Sequence, residues 1–253
     1  MIVGVTSWRG TGATTTALGL AAAFVARGER PWLVEADPAG GVLAARLPRH
    51  TVQPGGLERV AFPDRRSSAH ERFVAAATDV AGMRVVTAAG DPFRAWACHS
   101  PRAPWAPALR ELDGPVVVDL GRMRGGAPHA AVLDQLDALL VLADADAVSV
   151  ATTLEWAESM GRAAPVDAAM PVDLVCCCIV DAPTVLDRVG RVDVLAELGH
   201  RCAGWLPWDP AGARALHDLV PLGDRPFRRS GLAHGLAHLA ADLVRRTDAE
   251  AAA

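Results

Sequence analysis

The residues with the clearest chemical potential lie close to the N-terminus. A short apolar run, Ile2–Thr6, leads into the segment 7–16 (SWRGTGATTT), and a stretch of helical spacing follows at once. A glycine-containing turn between a strand and a helix directs backbone N–H groups and the positive end of the helix at one point. This arrangement predicts a phosphate-binding loop, in which Gly10 and Gly12 allow close approach of the backbone and Thr14 offers a hydroxyl to a metal ion.

The rest of the chain supplies the elements that must position this loop. Short runs rich in Val, Ile and Leu alternate with stretches of helical spacing, which predicts a doubly wound, mostly parallel sheet with helices on both faces. The predicted strands are Ile2–Thr6, Pro31–Ala36, Arg84–Ala88, Val116–Leu120, Ala138–Ala143, Asp173–Val180 and Arg201–Leu206. The predicted helices are Thr14–Arg27, Ala69–Val80, Ala106–Leu112, Ala147–Arg162, Thr184–Glu197 and Gly231–Arg246. No interruption is long enough for an interdomain linker, so we predict one domain over residues 1–247 and a frayed tail at 248–253.

The loop resembles that of the deviant Walker A ATPases of the ParA and MinD group, which reads Lys-Gly-Gly-x-Gly-Lys-Thr-Thr. Three positions depart from that pattern: Trp8 stands at the signature lysine, Arg9 at the first glycine and Ala13 at the phosphate-binding lysine. The other nucleotide-binding positions of the pattern are filled by Gly10, Thr11, Gly12, Thr14 and Thr15. The resemblance implies a P-loop fold whose nucleotide site lacks both lysines.

Later segments fall in the same order as in that family. The strand end at Asp37 resembles its Asp-x-Asp-Pro motif, which implies that Asp37 lies near the attacking water. The strand end at Asp119 resembles its Walker B motif, whose aspartate helps to hold Mg²⁺. Asp181 falls where many members carry the asparagine that reads adenine, and Leu206–Asp209 resembles a late Ile-Pro-x-Asp motif. The resemblance therefore spans nearly the whole chain.

The missing lysines decide the function that the sequence predicts. All 25 basic residues counted as Lys or Arg are arginine, so no other segment can donate a lysine. Fixed positive charge on the β- and γ-phosphates is a main contribution of the protein to phosphoryl transfer, and losing it lowers the rate by orders of magnitude. Arg9 is the nearest replacement, and it is either a phosphate ligand or a solvated surface residue. Asp37 and Asp119 either serve Mg²⁺ chemistry or cap the turns after their strands.

We therefore expect a noncatalytic pseudo-ATPase of ParA/MinD type, which acts as a scaffold or regulatory partner in a bacterial positioning or appendage assembly of the pilus or secretion type. Its partner is expected to be a second copy or an active relative, docked across the face that carries Trp8. The alternative is a weak binder of Mg-ATP that hydrolyses it slowly. In that case Arg9 replaces lysine, Thr14 and Asp119 hold Mg²⁺, and Asp37 orients water.

Composition excludes some other classes of protein. The formal net charge of −4 disfavours binding to DNA through a bulk positive field. The N-terminus has no basic leader, and no apolar stretch approaches the ~20 residues that span a bilayer, so we expect a cytoplasmic protein. Cys176, Cys177 and Cys178 follow one another on a predicted strand, where neighbouring side chains point to opposite faces and cannot hold one metal together. We interpret them as small buried side chains in a reducing compartment.

Three further features leave alternatives open. His234 and His238 share one face of the last predicted helix, but no third ligand is suggested nearby, which favours a plain surface over a metal site. The same helix carries a stripe of four leucines that either packs on the core or touches a membrane, and the sparse basic flanks favour the core. Trp96 and Trp105 lie in predicted loops, where they either form a protein interface or anchor the loops.

Overall fold

The structure, a computed structural model, describes residues 1–47, 55–62, 67–99, 105–123, 128–161, 174–183, 187–218 and 225–252. Eight strands in these ranges form one sheet. Their bounds are β1 Ile2–Ser7, β2 Trp32–Glu35, β3 Thr78–Val80, β4 Met83–Val86, β5 Val116–Arg122, β6 Ala138–Asp144, β7 Leu174–Asp181 and β8 Cys202–Pro207. All seven predicted strands are present, with ends shifted by one or two residues, and β3 is an addition.

The strand order explains why several carboxyl ends meet beside β1. The order across the sheet is β3-β4-β2-β5-β1-β6-β7-β8, and every neighbouring pair is parallel except β3 and β4. The chain runs outward from β1 on one side, returns through β5, and then runs outward on the other side. Such a reversal of order leaves a crevice at the carboxyl ends of the central strands, where open α/β sheets bind their ligands.

Helices cover both faces of the sheet, which confirms the predicted doubly wound architecture. On one face α1, α9 and α11 pack on the sheet, and on the other α3, α4, α6, α7 and α8 do so. The helix bounds are α1 Ala13–Ala26, α2 Leu43–Arg46, α3 Gly56–Ala61, α4 Ala69–Ala76, α5 Pro92–Ala97, α6 Ala130–Leu133, α7 Ala147–Gly161, α8 Arg191–Leu198, α9 Pro210–His217, α10 Arg225–Arg228 and α11 Gly231–Ala251. The helix predicted at Ala106–Leu112 is a 3-10 helix over Ala106–Glu111.

The helix predicted over Ala69–Val80 is wrong at its C-terminal end. α4 stops at Ala76, and the next residues form β3, which pairs antiparallel with β4. The two strands are joined by Ala81 and Gly82, whose φ angles of +50° and +86° lie in the left-handed region. Two such residues in a row are typical of a tight hairpin turn, so sheet pairing ends the helical pattern here.

The helix predicted over Thr184–Glu197 is wrong at its N-terminal end. Residues 184–186 lie outside the described residues, and α8 begins only at Arg191. Before it, the N–H of Val189 donates to the carbonyl of Ala145 at 2.9 Å, and Gly190 at the start of the helix is extended. A tertiary backbone contact therefore holds this segment out of the helix.

The two margins of the sheet differ in construction. β3, at one margin, has only three residues. β8, at the other margin, is held by Arg246 of α11, whose guanidinium donates to the carbonyl oxygens of His200 and Cys202. Asp242, one turn earlier on α11, accepts from the same guanidinium and fixes its position.

The cysteine run and the last helix agree with their structural interpretations. Cys176 and Cys178 lie in the apolar core on one face of the sheet and Cys177 in the core on the other, all three fully buried. The leucine stripe of α11 is buried in the core and comprises Leu232, Leu236, Leu239 and Leu243. His234 and His238 are exposed, and the described residues contain no group of three His, Cys, Asp or Glu that would complete a metal site there.

None of the described helices has both the length and the apolar character that are required to cross a bilayer.

Candidate functional site

The loop between β1 and α1 is a turn that opens directly onto the helix. Gly10 and Gly12 have φ angles of +86° and +85°, a region that residues with side chains rarely adopt. The N–H of Gly10 donates to the hydroxyl of Ser7 at 3.1 Å, which fixes the start of the turn. No side chain of the described residues caps the start of α1. The first N–H groups of the helix are therefore available to an anion.

Asp119 lies beside this loop, near the carboxyl end of β5, and is fully buried. Its Oδ1 accepts from the N–H of Gly121 at 3.0 Å, whereas Oδ2 has no hydrogen-bond partner among the described residues. Burial, and after it the neighbouring charge of Glu35, raises the pKa of Asp119 to about 7, and the nearby Thr14 side chain and the N–H of Gly121 oppose the rise. An unpartnered carboxylate oxygen near a threonine hydroxyl fits Mg²⁺, which binds oxygen ligands and usually takes only one or two carboxylates.

Glu35 sits directly opposite Asp119 in the register of β2 and β5, and it is also buried. Its Oε1 accepts from the N–H groups of Val42 and Leu43 at 2.6 and 2.8 Å, and its Oε2 accepts from the N–H of Ala88 at 3.0 Å. Burial raises the pKa of Glu35, and these three hydrogen bonds oppose the rise. Glu35 therefore ties the loop after β2 to the loop after β4, a role that the sequence analysis missed.

Asp37 reaches the same crevice from the end of β2. Its Oδ1 accepts from the N–H of Ala39 at 2.8 Å, so it caps the turn that follows the strand. The carboxylate rests against Gly121, where φ is +60° and an added methyl group would overlap it. Burial raises the pKa of Asp37, and the positive charge of Arg122 counteracts this. Asp37 therefore both caps the turn after β2 and reaches the crevice.

A first cavity of about 730 Å³ lies between the loop, Asp37 and the end of β5. This volume is in the range of small-molecule and cofactor sites. Its charged lining residues are Asp37, Arg46 and Arg122. The remainder of the lining comprises Ser7, Gly10, Gly12, Ala13, Thr14, Thr15, Pro38, Ala39, Trp96 and Gly121. The structure thus brings most of the predicted nucleotide-binding residues together around one space.

A second cavity of about 550 Å³ lies on the other side of the loop, against the ends of β7 and β8. Arg9 and Thr11 line this second cavity and not the first. The hydroxyl of Thr11 donates to Asp144 at 3.2 Å, and the charge of Arg9 lowers the pKa of that carboxyl, although burial raises it overall. The apolar part of the lining includes Val180, Ala182, Leu206, Pro207, Trp208, Pro210, Ala213 and Leu232.

Two acids near the second cavity have structural partners. Asp181 forms an ion pair with Arg188. Asp209 starts α9, where its Oδ1 accepts from the N–H of Gly212 at 2.8 Å, and its Oδ2 accepts from the N–H of Leu232 at 3.2 Å. Asp209 therefore links the start of α9 to the start of α11.

The tryptophans of the predicted loops occupy three different environments. Trp8 is half-buried and packs on Trp156 of α7, with ring centroids 6.1 Å apart. Trp96 is 53% exposed and borders the first cavity. Trp105 is buried, and its indole N–H donates to the carbonyl of Cys98 at 2.7 Å. Trp105 is thus a loop anchor, whereas Trp96 remains available to a partner.

Comparison with known proteins identifies the architecture. No protein-family model and no curated protein matches the sequence. Among solved structures, a ParA family ATPase from Chlorobium tepidum TLS is similar with a TM-score of 0.72 and 15% identity, over 95% of this chain and 98% of that one. The septum site-determining protein MinD complexed with Mg-ADP, from Pyrococcus horikoshii OT3, is similar with a TM-score of 0.66 and 14% identity, over 96% of this chain and 94% of that one. Cobyrinic acid a,c-diamide synthase from Mycobacterium smegmatis, with bound ATP analog and magnesium, has a TM-score of 0.65 and 21% identity, over 97% of this chain and 94% of that one. This chain therefore has the fold of the ParA and MinD ATPases.

Proposed function

We propose that this chain is a noncatalytic, cytoplasmic pseudo-ATPase that serves as a scaffold or regulatory partner in a bacterial positioning or appendage assembly. The observation that carries this proposal is the residue at the start of α1. Ala13 stands where the resembling family places its phosphate-binding lysine, and its buried methyl group carries no charge. Trp8 stands at the other lysine position and packs on Trp156 instead of presenting a cation.

The loss of these charges affects turnover more than binding. Removing one well-placed group that stabilises transition-state charge costs about 3–4 kcal/mol, and two losses lower the rate by several orders of magnitude. The backbone N–H groups at the start of α1 do not depend on the lysines. They still offer hydrogen bonds to a phosphate.

The described residues also fit the remaining parts of a nucleotide. Asp119 and Thr14 would hold Mg²⁺, which would neutralise phosphate charge when bound. The apolar second cavity, bordered by Leu206 and Trp208, is suited to a base. Weak binding of Mg-ATP without turnover is therefore part of the proposal.

The partner is proposed to be a second copy or an active relative. Trp8 and Trp156 form an aromatic pair beside the loop, and Trp96 is half exposed on the border of the first cavity. Aromatic side chains are enriched at protein interfaces, because they bury a large area with little loss of conformational freedom. This face is the proposed docking surface.

Slow ATP hydrolysis is the second candidate function. The observation that favours it is the presence of Arg46 and Arg122 in the lining of the first cavity, where they supply positive charge that the loop lacks. Under this alternative Asp37 would orient the attacking water.

A turnover measurement separates the two candidates. We expect the wild-type protein and Asp119→Asn to release phosphate from Mg-ATP at the same background rate. The asparagine variant is the matched control, because it keeps the size of the side chain and removes the carboxylate that would hold Mg²⁺. A wild-type rate more than tenfold above that of the variant would establish the enzyme and overturn the noncatalytic proposal.

The docking surface is tested by molar mass in solution. If this chain pairs with itself, light scattering is expected to show a dimer for the wild type and a shift toward monomer for Trp8→Ala. Trp208→Ala is the control, since it removes an indole that is 54% exposed but borders the second cavity. A dimer that is unchanged in Trp8→Ala would place the interface elsewhere.

A further inference from the structure

Arg122 occupies a position in the crevice that the motif pattern does not predict. It ends β5 and lies opposite Ser7 of β1 in the sheet register. Its guanidinium rests on the loop at Gly10, where an added methyl group would overlap Nη2. The absence of a side chain at Gly10 is therefore what lets this cation approach the loop.

No residue in the described part of the chain neutralises the charge of Arg122 through an ion pair. Its side chain is exposed, and no described carboxylate lies within ion-pair distance of it. Burial raises the pKa of Asp37, and the charge of Arg122 reaches that carboxyl and opposes the rise. An accessible guanidinium at the mouth of a cavity is suited to bind an anionic oxygen, and its planar fork can hold two at once.

A second guanidinium lines the same space. Arg46 ends α2 and lines the first cavity, and its Nη1 lies 3.5 Å from Nε2 of His217. Asp37 is the one carboxylate among the described residues that line this cavity, so the two arginines give this part of the lining a net positive charge. Together with the uncapped start of α1, these arginines give the first cavity donors and positive charge from three separate elements.

Asp119 supplies an independent sign that this space takes a ligand. Its Oδ2 is buried without a described hydrogen-bond partner near Thr14 and the loop. A buried carboxylate oxygen of this kind is costly unless a cation or a donor reaches it. A polyphosphate bound with a divalent cation satisfies the arginines and this oxygen together.

We infer that the phosphate chain of a nucleoside di- or triphosphate is held by Arg122, with support from Arg46, in place of the missing loop lysine. This inference rests on the proposed phosphate site, and it replaces Arg9 as the substitute cation, because Arg9 faces the second cavity beside Asp144. The phosphate-binding role of the lysine, though not its role in catalysis, is thus transferred from the helix start to the end of β5.

The test is calorimetric titration with Mg-ADP, and in parallel with inorganic triphosphate, which has no base. We expect Arg122→Ala to weaken both affinities at least tenfold, Arg46→Ala to weaken them about threefold, and Arg9→Ala to change the triphosphate affinity less than twofold. Arg122→Lys should restore only part of the loss, since lysine cannot bind two oxygens as a fork. Circular dichroism and thermal melting verify that each variant is folded.

The outcomes separate this inference from the proposed function. Wild-type affinity in Arg122→Ala, or a larger loss in Arg9→Ala than in Arg122→Ala, would overturn the inference. The absence of heat and of any thermal shift in the wild type would overturn it together with the weak nucleotide binding proposed above, and would leave only the noncatalytic scaffold in place. Binding that depends on Arg122 in a protein that turns over Mg-ATP would support the inference and overturn the proposed function.

Discussion

Glu35→Ala is expected to lower the free energy of unfolding by about 3 kcal/mol or more. The variant leaves the N–H groups of Leu43 and Ala88 without their acceptor in the interior, and that of Val42 without one nearer the surface; each buried unpaired group costs about 1–3 kcal/mol. Water entering the space recovers part of this cost. Chemical denaturation followed by circular dichroism measures the change.

Two matched variants make this expectation specific. Glu29→Ala removes the same side chain from a surface ion pair with Arg27, and a change below about 1 kcal/mol is expected there. Glu35→Gln keeps one carbonyl oxygen as an acceptor, so its loss should fall between the two alanine variants. Equal stability of Glu35→Ala and Glu29→Ala would show that the Glu35 contacts contribute nothing to folding.

Asp119→Asn is expected to be more stable than the wild type at pH 8 in the presence of a chelator. Burial raises the pKa of Asp119 from 3.8 to about 7 in the folded protein. Between these two values the unfolded chain has already released the proton that the folded chain retains, so this group makes the folded state less stable as the pH rises from about 4 to about 7. Asparagine does not ionise and lacks this penalty, which for a shift of this size amounts to at most ~4 kcal/mol.

Denaturation curves at several pH values test this expectation. The stability difference between variant and wild type should grow from pH 4 to pH 8. His99 and His129 are buried, and burial lowers the pKa of each to about 4, which destabilises both proteins below about pH 6.5 and therefore cancels in the difference. Asp79→Asn, at an exposed ion pair with Arg30, is the control and should show a nearly flat difference. A flat difference for Asp119→Asn as well would mean that the carboxyl ionises normally in the folded protein.

The parallel sheet could be predicted from the sequence because its strands are buried on both faces. Val116, Val117 and Val118 point alternately into the two cores, so an uninterrupted apolar run was a sufficient signal. The predictions of helix ends failed where tertiary contacts override helical spacing in the sequence. Ser68 and Glu71 form a capping box that encodes the start of α4 locally, whereas its end depends on pairing with β4. The glycine of the short turn before β4 was the signal that could have revealed the hairpin.

The site was predictable where it follows a contiguous motif and unpredictable where the fold assembles it. Gly10, Gly12 and Thr14 lie within one loop, and their spacing alone indicated a phosphate site. Arg46 and Arg122 come from separate elements and reach the first cavity only because the strand order places β5 beside β1 and β2 beside β5. Judged by sequence distance alone, Arg9 was therefore the nearest replacement for the missing lysine. Arg46 and Arg122 are close to the loop only in the folded structure.

The construction of the two sheet margins has a consequence for behaviour at high concentration. Exposed margins of β-sheets recruit strands from other molecules and begin aggregation, unless they are short, charged or occupied. Here the strand at one margin, β3, has only three residues. At the other margin, carbonyl groups at the start of β8 already accept hydrogen bonds from Arg246, and the strand ends at Pro207, which has no N–H to donate. Intermolecular strand addition is thus disfavoured at both margins, so we expect any filaments of this protein to be built mainly from side-chain contacts.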